Sequence, residues 1–294
     1  MSTVFITGGS GFIGTHLTRA LAGDGHQVAV VARGVRRRPR RENVSFVKAD
    51  LTDSPALVDT LRGADALIHL VAVIRERGKQ TFQRVNADAA ERVADAAVRA
   101  KVPHVIHQSA NGVDPDPRYP YLASKWQGEQ HVRGSGLPYT VLRPSLIFGP
   151  GDGFFTVLAR LVKLNPVVPI AGDGRSLFQP LYIGDLVQCY QLILERGPSN
   201  TVHEIGGPEH MTYEQIVLTI KRGLGLHRFT AHVPVRMLMP PAFLMDKVLP
   251  HPPVTPVQLR MLALNNITRL DSVQRTFQFQ PERFEDNLDY LEDY

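Results

Sequence analysis

The stretch Thr7-Gly8-Gly9-Ser10-Gly11-Phe12-Ile13-Gly14 decides the fold of this chain. It joins a short apolar run to a segment whose apolar residues have helical spacing. Gly8 can adopt backbone angles closed to other residues, Gly11 lets the main chain approach a diphosphate, and Gly14 lets the helix pack closely on the strand. The free N–H groups and the dipole at the helix start favour phosphate. The residues predicted to hold it are Gly8, Ser10, Gly11, Phe12, Ile13 and Gly14.

Strand-like and helix-like segments alternate outward from this turn. The strand candidates are 4–7, 27–32, 44–48, 66–70, 102–107 and 139–143, and the helix candidates are 12–22, 82–100 and 121–132. Such alternation predicts an α/β fold, a Rossmann-type doubly wound parallel sheet with helices on both faces. In that frame the glycine turn is typical of a dinucleotide site. The alternative is a structural turn of the same shape that has lost its ligand.

The regular alternation of strand-like and helix-like segments ends at about residue 145, after which prolines and glycines become frequent. We predict that residues 1–145 form the NAD(P)-binding core, to which 180–206 return, and that 146–179 and 207–294 form a smaller C-terminal substrate lobe. The apolar, methionine-rich segment 237–245 is either packing of that lobe or a substrate mouth, or a patch that faces a membrane or a partner. Its two prolines predict that it does not form a regular amphipathic helix.

The positive charge of the chain is concentrated in one place. Its 294 residues carry a net charge of +5, and six arginines crowd the segment 33–41. A single basic loop indicates one anionic ligand or a solvated loop, whereas nucleic-acid binding through residues 36–41 is a minor alternative. One cysteine, no apolar run of roughly 18 residues and no signal-peptide pattern predict a cytoplasmic protein, with membrane association left open. The histidines lack metal-ligand spacing, so no metal is predicted.

The end of the second strand indicates which dinucleotide binds. NAD-binding proteins place an acid there, whereas an arginine accommodates the 2′-phosphate of NADP. Here the strand ends at Ala32 and Arg33 follows, with Arg36–Arg38 close by and no adjacent carboxylate. The sequence therefore predicts NADP(H) in preference to NAD(H). The alternative is that Arg33 stacks on adenine. Further cofactor contacts are predicted after strands three and four, at Asp50, Leu51, Leu70, Val71 and Ala72.

Chemistry is indicated by Tyr121 and Lys125, which share one helical face at the spacing i, i+4. A neighbouring ammonium is expected to lower the pKa of a tyrosine from about 10, so that Tyr121 exchanges a proton with a substrate oxygen near neutral pH. Lys125 can also bond a ribose hydroxyl. Ser109, at the end of a strand, can orient the substrate oxygen. The alternative is a tyrosine and lysine pair on a helix surface.

Together these residues resemble the short-chain dehydrogenase/reductase superfamily in its extended or atypical branch. The matching pieces are 7–14, Asp50-Leu51, Ser109, Tyr121 with Lys125, 143–151 and 179–185. The resemblance implies that Ser109, Tyr121 and Lys125 catalyse hydride transfer, epimerisation or dehydration. It also implies that Pro144 and Ile147 lie beside the nicotinamide ring.

Within the superfamily the chain is most similar to the group named after the 39 kDa accessory subunit of respiratory complex I, through 179–185 and 253–266. Where nucleotide-sugar epimerases carry Arg-Asp-Phe, this chain has Phe178-Gln179-Pro180, which weakens a nucleotide-sugar substrate, although Arg175 is close. The complex I subunit usually lacks the tyrosine that is present here as Tyr121.

Two functions remain open at this stage. The first is an NADP(H)-dependent oxidoreductase or sugar epimerase/dehydratase, acting on an unidentified small molecule. The second is a non-catalytic NADPH-binding assembly or sensor protein, with peripheral membrane or respiratory-complex association.

Overall fold

The computed structural model describes residues 1–32, 42–51, 54–250 and 252–294. It contains two compact units, one of residues 1–144 and 186–204 and the other of residues 145–185 and 205–294. The assignment of cofactor binding to one unit and of substrate binding to the other stays a prediction.

The first half of the chain alternates strands and helices. Its elements are β1 (Thr3–Thr7), α1 (Phe12–Gly23), β2 (Gln27–Ala32), β3 (Val44–Lys48), α2 (Ser54–Leu61), β4 (Ala66–His69), a π-helical turn (Gln83–Ala87), α3 (Asp88–Ala100), β5 (Val105–Gln108), α4 (Pro120–Gly134) and β6 (Tyr139–Pro144).

The second half has shorter strands. Its elements are β7 (Ile147–Phe148), α5 (Phe155–Leu164), β8 (Val167–Ala171), β9 (Leu177–Phe178), β10 (Leu181–Tyr182), α6 (Ile183–Arg196), β11 (Thr201–Ile205), β12 (Met211–Thr212), α7 (Tyr213–Gly223), β13 (Phe229–Val233), α8 (Val235–Val248), α9 (Pro256–Met261), α10 (Ser272–Phe277) and two 3-10 turns (Glu285–Asn287 and Asp289–Asp293).

A seven-stranded sheet in the order β11-β6-β5-β4-β1-β2-β3 organises the first unit. The pairs from β6 through β3 are parallel, which confirms the predicted α/β architecture. The chain runs from β1 outward to β3, then returns to the other side of β1 with β4. Ligands of such sheets bind at this switch point, beyond the carboxyl ends of the strands.

One core of the first unit lies between the sheet and the helices α2, α3 and α4. Phe5, Leu67 and Val105 stand in one row across the sheet and are buried. Helix α3 contributes four buried residues to this core, Val93, Ala94, Ala96 and Ala97. The small side chains let the helix lie close to the sheet.

The second unit has its own aromatic core around Phe148. The rings of Phe155 and Phe284 each lie within 6 Å of it, at 5.7 and 5.0 Å between centroids. Asp152 caps α5, because its Oδ1 accepts hydrogen bonds from the N–H groups of Phe155 (2.7 Å) and Thr156 (3.2 Å).

Helix α8 corrects one prediction from the sequence. It runs continuously from Val235 to Val248 with Pro240 and Pro241 inside it, so the expectation that the prolines prevent a regular helix is wrong. Adjacent prolines remove two helical N–H donors but leave φ in the helical range. In the part of the chain that the structure describes, no helix is long and apolar enough to cross a membrane.

Candidate active site

The glycine turn between β1 and α1 is built so tightly that side chains are excluded. Gly8 has φ of +78°, and a Cβ there would lie 3.1 Å from the carbonyl carbon of Leu70 and from the nitrogen of Val71. A Cβ on Gly14 would lie 2.4 Å from the carbonyl oxygen of Gly8. The turn therefore packs directly against the chain that leaves β4, as the predicted contacts of both segments with one ligand require.

Gly9 is also too closely packed for a side chain, a constraint that the glycine motif alone did not predict. A Cβ there would meet Cγ1 of Val30 in β2 at 2.9 Å. The adjacent glycines could have indicated this close packing, because only Gly8 is needed for the turn itself.

The start of α1 fits a diphosphate. Its N-cap is Gly11, which offers no side-chain cap, and its first turn contains no acidic residue. The first intrahelical bond reaches Gly11 from the N–H of Thr15 (3.0 Å). The N–H groups of Phe12, Ile13 and Gly14 consequently have no acceptor within the helix and are free to bind a phosphate. A dinucleotide is the group that this cradle suits.

The predicted adenosine contacts are only partly described. Arg33 and the arginines at 36–38 lie outside the described residues. Asp50 is exposed just beyond β3, whereas Leu51 packs partly buried against the first core. Leu70 and Val71 are half-buried beside the turn, and Ala72 is exposed.

Ser109 and Lys125 meet at the end of β5. Ser109 follows this strand and is 3% exposed, and its Oγ has no hydrogen-bond partner among the described residues. Lys125, 2% exposed, donates from Nζ to the carbonyl oxygen of Gln108 at 2.5 Å. The lysine thus ties α4 to the residue that precedes Ser109. An unpaired buried hydroxyl is costly unless a ligand atom completes it.

Tyr121 lies in the first turn of α4, one turn before Lys125. Burial raises the pKa of Tyr121 to about 12. Burial also lowers the pKa of Lys125 from 10.5 to about 8, against the opposing charge of Glu129. The predicted lowering of the tyrosine pKa is therefore wrong for this geometry, because burial removes the phenolate from water and raises the pKa. At neutral pH Tyr121 is a phenol that can donate its proton.

A buried amide holds Tyr121's helix in place. Asn86 accepts from the N–H of Val73 (2.8 Å) and donates to its carbonyl oxygen (3.1 Å). The same amide donates to Oγ of Ser124 (3.1 Å), which donates in turn to the carbonyl oxygen of Tyr121 (2.8 Å). Asn86 belongs to the π-helical turn, a distortion that often marks functional sites. The sequence of residues 83–87 shows no pattern that predicts a π-helical turn.

Three buried polar residues form a row across the sheet close to Lys125. Thr7, His69 and His107 are neighbours in register on β1, β4 and β5. Oγ1 of Thr7 and Nδ1 of His69 are 2.6 Å apart, and the two imidazoles stack at 5.4 Å. Burial, aided by the charge of Lys125, lowers the pKa of His69 to about 3 and that of His107 well below 6.5. Both rings are neutral at physiological pH.

The arginine of the predicted segment 143–151 is structural. Arg143 donates from Nε and Nη2 to the carboxylate of Glu129 at 2.8 and 2.7 Å, and Glu129 is fully buried. This bidentate pair joins β6 to α4. Pro144 ends β6 in the first unit, while Ile147 lies half-buried in β7 of the second.

Gln179 of the second unit is fully buried. Its amide donates to the carbonyl oxygen of Gly207 (2.7 Å) and accepts from the N–H of Thr268 (2.7 Å). The side chain of Gln179 is thus used entirely in hydrogen bonds to the backbone. Arg175 is exposed.

Comparison with known proteins identifies the group to which this architecture belongs. Residues 4–206 match the model of the NAD dependent epimerase/dehydratase family. The chain belongs to this family. The match confirms the predicted superfamily, and the curated proteins that this chain resembles include a ceramide reductase and a dTDP-glucose 4,6-dehydratase.

Several relatives of this family member differ in what they do. Ceramide reductase of Caulobacter vibrioides is 38% identical over 172 residues, covering 57% of this chain and 53% of that protein. This chain therefore spans about half of its length. The 40 kDa subunit of NADH-ubiquinone oxidoreductase from Neurospora crassa is 24% identical over 254 residues, 84% of this chain and 67% of that protein, so the predicted similarity to complex I subunits is confirmed.

The fold is shared with UDP-glucuronic acid 4-epimerase from Bacillus cereus, solved with UDP-glucuronic acid and NAD. The TM-score is 0.77 at 20% identity, with 99% of each chain covered. This likeness confirms the predicted Rossmann-type fold.

Proposed function

We propose that this chain is an NADP(H)-dependent oxidoreductase in which Ser109, Tyr121 and Lys125 act on a carbonyl or alcohol group. The observation that carries the proposal is the buried Lys125 ammonium, anchored on the carbonyl oxygen of Gln108 beside an unpaired Ser109 hydroxyl. Burying a charge and leaving a hydroxyl unpaired both destabilise the fold. Such costs are typical of groups retained for binding and chemistry.

Each residue has a separate task. The bound nicotinamide would supply or accept a hydride. The Ser109 hydroxyl donates a hydrogen bond that holds the substrate oxygen. The Tyr121 phenol, neutral at pH 7 because burial raises its pKa to about 12, gives its proton to that oxygen as a carbonyl is reduced. Lys125 holds the ribose and, as an ammonium, favours the phenolate that remains.

A lipid-like carbonyl is the substrate class that we favour. The ceramide reductase relative acts on a lipid by its name, and the buried Gln179 stands where a diphosphate-binding arginine would serve a nucleotide sugar. A sugar derivative remains the alternative that the Bacillus cereus epimerase suggests.

The test is NADPH consumption across long-chain ketones, quinones and nucleotide sugars. We expect turnover with a long-chain ketone that falls by about 100-fold or more in Tyr121→Phe. The matched control is Tyr119→Phe, which removes a hydroxyl just before the same helix and should retain activity. Equal turnover in wild type and Tyr121→Phe would overturn the catalytic assignment.

The cofactor preference has its own test. Fluorescence titration should give tighter binding of NADPH than of NADH, because the sequence has an arginine, Arg33, directly after β2, where an arginine accommodates the 2′-phosphate. Equal or tighter binding of NADH would contradict this preference.

A second candidate follows from the similarity to the complex I subunit over 84% of the chain. It is an assembly or sensor protein that binds NADPH without turning it over. Tight NADPH binding with no consumption across the whole panel would favour it.

A further inference from the structure

Helix α8 of the second unit is apolar but largely unburied. Among its residues only Ala242 is buried. Met237, Leu244 and Val248 are 63%, 64% and 68% exposed. Single exposed apolar residues are ordinary, but several on one helix mark an interaction site.

These side chains share one line along the helix. Met237, Pro241, Leu244 and Val248 follow the spacing i, i+4, i+7, i+11, which repeats within about 40° on an α-helix. We call these four residues the apolar stripe. Leu238, Ala242 and Met245 stand on the side where the helix is more buried.

A row of different character borders the apolar stripe. Arg236, Pro240, Phe243 and Lys247 repeat the same spacing one residue earlier, and we call them the cationic row. Phe243 is 54% exposed, and Nζ of Lys247 lies 4.5 Å from its ring centroid. The one acid of the helix, Asp246, is half-buried and lies about 60° beyond Phe243 around the helix, on the side away from the apolar stripe. The exposed face therefore combines apolar groups with positive charge only, which complements an anionic surface.

The two prolines indicate that water reaches the exposed face of α8. Pro240 and Pro241 have no N–H, so the carbonyl oxygens of Arg236 and Met237 lose their helical donors. In a dry protein interface these oxygens would be left unsatisfied at a cost, whereas water reaches them at a lipid headgroup layer. The 14 residues of α8 extend about 21 Å, too short to cross a bilayer of about 30 Å.

We propose that α8 lies in the plane of an anionic lipid bilayer surface. The apolar stripe enters the boundary between headgroups and acyl chains, and Arg236 and Lys247 bind the headgroups. This is the arrangement of interfacial amphipathic helices, whose cationic side chains reach out from an apolar base. It requires neither cofactor nor turnover, so it stands or falls separately from the proposed activity.

Vesicle flotation of the full chain tests the proposal. The wild type should float with phosphatidylcholine vesicles that contain phosphatidylglycerol, and more weakly with phosphatidylcholine alone. The variant M237S/L244S/V248S should lose binding about tenfold or more, since three side chains leave the apolar boundary. Arg236→Ala with Lys247→Ala should reduce binding to the anionic vesicles alone and remove its salt dependence.

The matched control is V98S/L164S/L270S, which removes three exposed apolar side chains elsewhere and should bind like the wild type. All variants change exposed positions, and thermal melts establish that they are folded. No flotation of the wild type with anionic vesicles would overturn the proposal, as would equal loss in the control variant. Sedimentation that shows a dimer dispersed by the stripe variant, without vesicle binding, would assign the face to a second copy of the chain instead.

Discussion

Replacing Lys125 by methionine should stabilise the protein while abolishing its activity. Burial lowers the pKa of Lys125 from 10.5 to about 8. At about 1.4 kcal/mol per tenfold change in proton affinity, folding disfavours the ammonium by about 3 kcal/mol. Methionine fills a similar volume without a charge. It also leaves the carbonyl oxygen of Gln108 without its 2.5 Å donor, which costs about 1 kcal/mol. The expected net gain in the free energy of unfolding at neutral pH is about 2 kcal/mol.

The pH dependence of this gain has a definite sign. Below the folded pKa of about 8 the native protein carries the buried ammonium, so the whole penalty is present. Between about 8 and 10.5 the native lysine is neutral while the unfolded lysine is still charged, and the penalty disappears as the pH rises. Near pH 10.5 the variant should have lost its advantage and be slightly less stable than the wild type.

Urea unfolding followed by circular dichroism at several pH values measures the difference. NADPH consumption is assayed on the same samples. A variant that is less stable than the wild type at pH 7, or a difference in stability that stays constant from pH 8 to 10.5, would refute the reasoning. Loss of activity together with increased stability would mark Lys125 as a residue kept for chemistry.

Three further outcomes are expected. His104 is buried directly before β5. Burial lowers the pKa of His69 to about 3 and that of His104 to about 4. The unfolded chain therefore binds protons below pH 6.5 that the native chain does not bind. Unfolding free energy should then fall by about 2 kcal/mol per histidine at pH 5, and a urea midpoint unchanged between pH 7 and 5 would contradict this. Glu129→Gln should cost about 3 kcal/mol in urea unfolding, because it breaks a bidentate pair at a fully buried carboxylate; a loss below about 0.5 kcal/mol would be inconsistent with the pair. Gly14→Ala should weaken NADPH binding about tenfold or more in fluorescence titration, because its Cβ would lie 2.4 Å from backbone atoms. Gly23→Ala, which meets nothing within 4 Å, is the control and should leave affinity unchanged.

The parts of the fold that the sequence predicted are governed by local rules. The turn after β1 is specified by three glycines at fixed spacing, and the apolar runs of the buried parallel strands stand out without tertiary information. Tyr121 and Lys125 could be paired in advance, because four residues on a helix return to the same face.

The parts that escaped prediction depend on contacts between distant segments. The pKa of Tyr121 follows from what buries it, and no spacing rule contains that information. The row of Thr7, His69 and His107 appears only once the strand register is known. Helix α8 continues through two prolines, against the local preference for a break.

The side-chain amide of Asn86 bonds both backbone groups of Val73 and so closes a loop of residues 73–86. Within this loop Arg77 and Gln80 form an antiparallel β-bridge, and the N–H of Phe82 donates to the carboxylate of Glu76 at 2.8 Å. The segment between the two anchor points is therefore held by its own contacts and by Phe82, whose ring lies 5.9 Å from that of Tyr121. Loops of other lengths and chemistries could be grafted between Val73 and Phe82 while the contacts of Phe82 and Asn86 with α4 are kept, which makes this segment a natural starting point for redesigning what the protein accepts.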